Sequence, residues 1–202
     1  MNNEARQVIL DSIRGHLAAS LPSEPQAFAN ERPSEPPLPA NVCGLFKENL
    51  ESVAGHCFIT TDVADVLRQI ITDLRVQRIA ISDAPQLAEF GVLPGADDIF
   101  NFDVGITTAQ AAIAETGTLV LDSSCERNRL VSVVPPVHIA IVPASRICAT
   151  LADVLAILQS APELSPVITF ITGPSRTADI ELTLTIGVHG PKELYVIVDE
   201  ST

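Results

Sequence analysis

Between Thr172 and Pro191 the chain gathers hydroxyls, one arginine, two carboxylates and a histidine, reading T-G-P-S-R-T-A-D-I-E-L-T-L-T-I-G-V-H-G-P. The first part, Thr172-Gly-Pro-Ser-Arg-Thr177, has the makings of an anion cradle. Gly173 permits a sharp turn or the close approach of another backbone. A helix starting after Pro174 would aim its free N–H groups back at the strand end. Ser175 and Thr177 add hydroxyl donors, and Arg176 offers a two-pronged cation suited to a carboxylate or phosphate. The alternative is a capped turn with Arg176 paired to Asp179 on the surface. The Gly-Lys-Ser/Thr ending of a P-loop is missing.

A second group lies in Ile113-Ala-Glu-Thr-Gly-Thr-Leu-Val-Leu121. A carboxylate between two apolar runs is unusual, because burial raises its pKa unless partners compensate. Glu115 is therefore a candidate nucleophile, general base or binding group. The alternative is a hairpin in which Gly117 takes the left-handed position and Glu115 faces solvent. His189, in Gly187-Val-His-Gly-Pro191, sits in an irregular loop and is a candidate acid–base or anion-contacting group. His138 opens an apolar run after Pro135-Pro136 and reads as a satisfied structural histidine. Arg127 and Arg129 follow the turn at Asp122-Ser-Ser124 and offer a second cation to an anionic ligand, or form a solvated loop face. His189, Glu115 and Asp179 lack metal-ligand spacing, and no metal is expected.

The elements that must position these groups follow from periodicity. Glu4–Ala19 is an amphipathic helix, with Ile9, Ile13 and Leu17 at i, i+4, i+8. Ser20–Ala40 holds six of the 15 prolines and cannot form a helix interior or a central strand. Residues 1–40 thus form a helix and Pro-rich arm, and 41–202 an α/β domain. Within the latter, a helix through Leu45, Phe46, Leu50 and Val53 leads to a strand at His56–Ile59. Thr61 then caps a helix carrying Val63, Leu67, Ile70, Ile71 and Leu74. A strand at Arg78–Ser82 and a short helix at Pro85–Phe90 continue the alternation expected of a sheet with crossover helices. Asp103–Ile106, Ala111–Ala114, Thr118–Leu121, Arg129–Val134 and Val137–Val142 are short apolar runs that predict an antiparallel or mixed portion. Leu151–Leu158 is a helix, and Val167–Ile171 and Leu194–Val198 are the closing strands. Asp179–Ile186 alternates with period two, as a strand would. Joining two parallel closing strands requires a crossover, however, which favours a short helix there.

Composition narrows the functional classes. The chain has 202 residues, 47% of them hydrophobic but only 4% aromatic, so its core is aliphatic. The net charge of -13, from 25 acidic and 12 basic residues, argues against nucleic acid and against an anionic membrane surface. The scattered Cys43, Cys57, Cys125 and Cys148 match neither metal-site nor iron–sulfur spacing. Cys57 and Cys148 read as core residues and Cys125 as an exposed thiol. The N-terminus lacks signal-peptide features and no apolar run is long enough to span a bilayer, so a cytoplasmic location without membrane insertion is expected.

Ala114-Glu-Thr-Gly-Thr118, Pro136-x-His138, Thr172-Gly-Pro-Ser-Arg-Thr-Ala-Asp-Ile-Glu181 and Gly187-Val-His-Gly-Pro191 resemble the motifs of the LUD-domain family. The N-terminal helix and Pro-rich connector are similar too, so the resemblance covers nearly the whole chain. It implies a mostly parallel or mixed central sheet flanked by helices, similar to the ribose-phosphate isomerase, glucosamine-phosphate deaminase and CoA-transferase group. It also implies a part in oxidising L-lactate to pyruvate beside iron–sulfur companion proteins. Those companions would carry the clusters, leaving this chain without a cofactor of its own. The positions matching the motifs are Glu115, Thr116, Gly117, Thr118, Gly173, Ser175, Arg176, Thr177, Asp179, Glu181, His189 and Gly190. Glu115 and His189 are the expected catalytic groups and the others the expected binding groups, around a small anionic molecule. Competing expectations are a CoA-transferase-like enzyme, an ATP-dependent cyclo-ligase-like enzyme, and a non-catalytic assembly or regulatory subunit.

Overall fold

The computed structural model describes residues 3–19, 41–95, 98–126, 128–161, 165–177, 185–186 and 189–201. The chain divides into two units, Met1–Pro37 and Leu38–Thr202. The first contains α1 (Asn3–Ala19), where the sequence predicts an amphipathic helix.

The second unit opens with α2 (Val42–Ser52), whose start is capped by Asn41 accepting from the Gly44 N–H at 2.7 Å. After β1 (His56–Thr60) comes α3 (Val63–Leu74). Its cap is Asp62, which accepts from the Asp65 N–H, rather than Thr61. The preceding Thr60 hydroxyl accepts from the Asp62 N–H and turns the chain one residue later than expected. The chain continues through β2 (Ile79–Ile81), β3 (Val104–Thr108), β4 (Ala111–Ile113), β5 (Thr118–Asp122), β6 (Val137–Pro143), β7 (Ile147–Cys148), α4 (Leu151–Gln159), β8 (Ile168–Ile171), β9 (Arg176–Thr177), β10 (Thr185–Ile186) and β11 (Glu193–Asp199).

The central sheet has the order β1-β11-β6-β3-β2, and every neighbouring pair is parallel. Its strands alternate between two apolar environments. Val104, Ile106, Ile139 and Ile197 pack with Leu67 and Ile70 of α3. Ala140, Val142, Leu194, Val196 and Val198 meet Phe46 and Leu50 of α2, together with Ala112, Leu119 and Leu121 of a second sheet. Burial on both faces is why these strands read as unbroken aliphatic runs. Each fully buried Leu or Ile contributes roughly 1.5–3 kcal/mol, so these faces rather than short-helix propensity fix the layers. The second sheet, ordered β7-β4-β5-β8, pairs β4 with β5 and β5 with β8 antiparallel. Its outer residues Ile113 and Val120 are covered by Val154 and Leu158 of α4.

The mostly parallel sheet flanked by helices agrees with the expected class, and three local points refine it. First, β8 and β11 belong to different sheets, so no crossover is needed between them. Of the Asp179–Ile186 stretch expected as a short helix, only Thr185–Ile186 lies among the described residues; it is β10, paired antiparallel with β9, Thr177 opposite Thr185 and Arg176 opposite Ile186. Second, the runs expected as an antiparallel or mixed portion are divided between the sheets: β3 and β6 are parallel members of the central one, and β4 and β5 are an antiparallel pair in the other. Third, Arg129–Ser132 is a 3-10 turn rather than a strand, closed by bonds such as Val134 N–H to the Leu130 carbonyl. Gly105 on β3 makes room for it, since a Cβ there would run into the Val131 carbonyl. Among the described residues no helix is long and apolar enough to cross a membrane.

Candidate functional site

The hairpin alternative describes the Glu115 region. The β4–β5 turn carries Gly117 at φ +62, and a Cβ there would meet the backbone of Leu50. Asn49 Nδ2 donates to the Ala114 carbonyl at 2.8 Å, fastening the turn to α2. Glu115 is exposed. Its Oε1 accepts from the Leu151 N–H at 2.8 Å, placing negative charge at the start of α4 where the helix dipole favours it. Thr116 and Thr118 share a hydroxyl bond of 2.7 Å, and Thr118 makes another of 2.7 Å with Thr172. Through these hydroxyls and the β5–β8 pairing, the Glu-Thr-Gly-Thr and Thr-Gly-Pro-Ser-Arg-Thr motifs become neighbours.

The turn after β8 also leans on α2. Gly173 has φ +79, and a Cβ on it would lie 2.8 Å from the Val53 carbonyl oxygen. That same oxygen accepts from Arg176 Nη2 at 2.6 Å, a cation at the carboxyl end of a helix. Among the described residues the chain after Pro174 is not helical: Arg176–Thr177 is β9, so no helix-start N–H groups stand at Ser175–Thr177 to form a cradle. The Ser175 N–H donates to the Pro191 carbonyl at 2.9 Å, and a Cβ on Gly190 would lie 3.1 Å from Ser175 Cβ. Asp179 and Glu181 lie outside the described residues, as do Arg127 and the side chain of Thr177.

A cleft of about 270 Å³ opens where these segments meet, at the amino ends of β6 and β11. Gly173, Ser175, His189 and Gly190 line it together with Thr172, Ser132 and His138, against apolar Val133, Phe170 and Leu194. Glu115 and Arg176 are not among its lining residues. An adjoining groove, lined by Arg129 and Asn128, shares Ser132, Val133 and Thr169 with the cleft. Arg129 is thus the cation whose groove runs into it. Among the described residues no group of three or more His, Cys, Asp or Glu could hold a metal.

His138 is not the satisfied histidine that its position after Pro135-Pro136 implies. It is 0% exposed, with Nε2 bonded to Thr107 Oγ1 at 2.8 Å and Nδ1 lacking a partner among the described residues. Burial pushes its pKa down to about 4, so the ring is neutral at ordinary pH. The available signal is a lone polar residue in a strand otherwise apolar on both faces.

A second, larger cavity of about 930 Å³ lies at the opposite edge of the central sheet. Thr108, Pro143 and Asp199, at the carboxyl ends of β3, β6 and β11, line it with Val63 and Ala64 at the start of α3. Gln110, exposed Cys125, Ser145 and Arg146 add polar atoms. Beside it is Glu126, only 2% exposed, whose Oε1 accepts from the Thr108 N–H at 2.8 Å and from the Thr108 hydroxyl. Among the described residues its Oε2 has no hydrogen bond; buried Ser82 lies close by without good hydrogen-bond geometry. Burial raises the Glu126 pKa, against the pull of Thr108 and Ser82, and the charge of Asp83 pushes the same way as burial. Glu126 hides in a polar run, Asp122–Arg129, that reads as a solvated loop.

Residues 96–198 match the LUD domain, a span containing both hydroxyl-rich motifs and His138. "Lactate utilization protein C" of Macrococcus caseolyticus is 33% identical over 194 residues, covering 81% of this chain and 84% of that protein. The Geobacillus kaustophilus protein of the same name is 30% identical over 230 positions, covering 94% and 96%. The one from Bacillus subtilis is 42% identical over 103 residues, 48% of this chain and 43% of its own. The crystal structure of a DUF162 family protein from Deinococcus radiodurans shares the fold, with a TM-score of 0.61 at 22% identity over 80% of this chain and 98% of that one. The chain belongs to the LUD-domain family.

Proposed function

We propose that this protein is a component of an L-lactate oxidation system and acts with companion proteins that carry iron–sulfur clusters. The cleft at the amino ends of β6 and β11 then holds a small carboxylic acid such as lactate or pyruvate. Of the first part, the relatives named lactate utilization protein C support a role in lactate utilization. The second rests on one observation: Ser132, His138, Ser175 and His189, from separate segments, converge on a cleft of about 270 Å³. Small ligands occupy such apolar hollows with a few convergent polar groups.

In this reading Arg129 draws the carboxylate in from the adjoining groove, because a charged hydrogen bond is about twice as strong as a neutral one. Ser175 holds it, Ser132, whose hydroxyl donates to the Arg129 carbonyl at 3.0 Å, fixes the turn that carries Arg129, and His189 is the candidate proton-transfer group. Arg176 and Glu115 act at one remove. Arg176 ties the Thr172–Ser175 turn to the end of α2, and Glu115 fixes the start of α4.

Calorimetric titration of the isolated chain with L-lactate and with pyruvate tests the reading. Binding of either acid, weakened in His189→Ala and Ser175→Ala, is the expected result. If neither acid binds at millimolar concentration, the cleft is not their site. Strong weakening by Arg176→Ala would instead return Arg176 to the ligand. A second reading, an assembly subunit without chemistry of its own, is favoured by exposed Val8, Ile9 and Ile13 on α1. Deleting residues 1–40 separates the two: lost association with the companions, with acid binding intact, assigns docking to the arm.

A further inference from the structure

His138 and Thr107 face each other across neighbouring strands, β6 and β3, with Gly105 rather than a larger residue in register with the histidine. Thr107 is 1% exposed and His138 is wholly buried, yet His138 also lines the cleft. The ring therefore has one nitrogen committed to Thr107 and one, Nδ1, with nothing to bond. A buried polar atom without a partner is unfavourable, and a ligand that supplies the partner recovers the loss.

A neutral imidazole has one donor nitrogen and one acceptor, and its partners choose which is which. Thr107 Oγ1 is both donor and acceptor. If Thr107 donates to Nε2, the proton sits on Nδ1, which then donates to a ligand carbonyl. If Thr107 accepts from Nε2–H, Nδ1 carries the lone pair and accepts from a ligand hydroxyl. A charged imidazolium, with two donors, could not do this, and burial keeps the ring neutral.

We propose that His138 and Thr107 form a tautomer-switching pair that lets the cleft bind a 2-hydroxy acid and the corresponding 2-oxo acid in one pose. This rests on the reading of the cleft as a carboxylic-acid site and deepens it. The pair makes the site tolerant of the oxidation state of its ligand, so that substrate and product of an alcohol-to-ketone oxidation are both recognised. No bond to carbon is made or broken by it; only the imidazole proton changes nitrogen as the Thr107 hydroxyl reverses.

The test is nitrogen NMR of the imidazole side chains in the full chain, titrated separately with L-lactate and with pyruvate. Single His16→Gln, His56→Gln and His189→Gln variants assign the other histidines, leaving the remaining signals to His138. With lactate, His138 is expected to show its proton on Nε2; with pyruvate, on Nδ1. A site frozen in one tautomer would also discriminate between the acids by on the order of tenfold or more, whereas the switching pair gives near-equal affinities. Binding of both acids with the same tautomer in each overturns the proposal and leaves the carboxylic-acid reading standing. Binding of neither acid overturns both.

Discussion

The two cavities sit at opposite edges of one parallel sheet, and they differ in kind. The carboxyl-edge cavity is the larger and occupies the place where open α/β sheets commonly bind ligands. The amino-edge cleft is smaller, yet it collects His189, Gly173, Ser175 and Gly190 from the family motifs. Each has a buried titratable group beside it. His138 is kept neutral by burial and stays half-bonded; Glu126 is an acid whose charged form burial opposes. A general rule about strand ends and a specific set of motif residues therefore point to different places. The difference arises because β8, which delivers the Thr172–Thr177 turn, is not a strand of the parallel sheet at all.

The sharpest way to break the amino-edge cleft alone is Gly105→Ala. The new methyl must displace the Val131 carbonyl and with it the 3-10 turn that brings Ser132 and Val133 to the cleft. We expect a loss of about 3 kcal/mol in urea unfolding, together with loss of acid binding. An unchanged midpoint would mean that the turn moves freely and the cleft wall is soft. Next in size is a pH effect. The His138 pKa falls from 6.5 to about 4 on folding, so its contribution is fully present above 6.5 and is lost as pH falls from 6.5 towards 4. That amounts to on the order of 3 kcal/mol. Unfolding curves across this window should flatten in His138→Gln; an unaltered slope would assign the acid sensitivity elsewhere.

A direct contest between the edges comes third. Arg129→Ala should weaken lactate or pyruvate binding by about tenfold, and Arg146→Ala, at the other cavity, should leave it unchanged. The reverse result would move the acid to the carboxyl edge. The smallest effect is expected from Glu126→Gln. Its folded pKa is raised above 4.5, so the protonated form contributes stability below 4.5 that is lost as pH rises through the folded value. Glutamine keeps an acceptor for the Thr108 N–H without the charge, and should add about 1 kcal/mol at pH 7 and nothing well below 4.5. Destabilisation at pH 7 would show that the carboxylate is wanted there as a charge.

Local patterns carried much of the fold. The apolar spacing of Phe46 and Leu50, of Leu67 and Ile70, and the aliphatic runs at β6 and β11 mark their elements directly. Sheet membership was not legible, because whether β8 joins β11 or β5 depends on pairing between distant segments. The same holds for Arg129–Ser132: its apolar residues suit a strand, and only Gly105, on another element, lets it fold as a tight turn. At the site, the clustering of Gly173, Ser175, His189 and Gly190 follows from short-range sequence. The orphaned Nδ1 of His138 and the burial of Glu126 are products of packing, which no local pattern reports.

The motif glycines have a consequence for where the domain begins. Gly117 seats against Leu50 and Gly173 against Val53, while Asn49 holds the Ala114 carbonyl and Arg176 the Val53 carbonyl. All four attachments converge on the last turns of α2, upstream of the matched span 96–198. That span also leaves behind β1, the parallel partner of β11, and β2, the partner of β3. A fragment cut at the limits of sequence similarity would have empty sockets and two bare sheet edges. The unit that inheritance makes recognisable is smaller than the unit that folds.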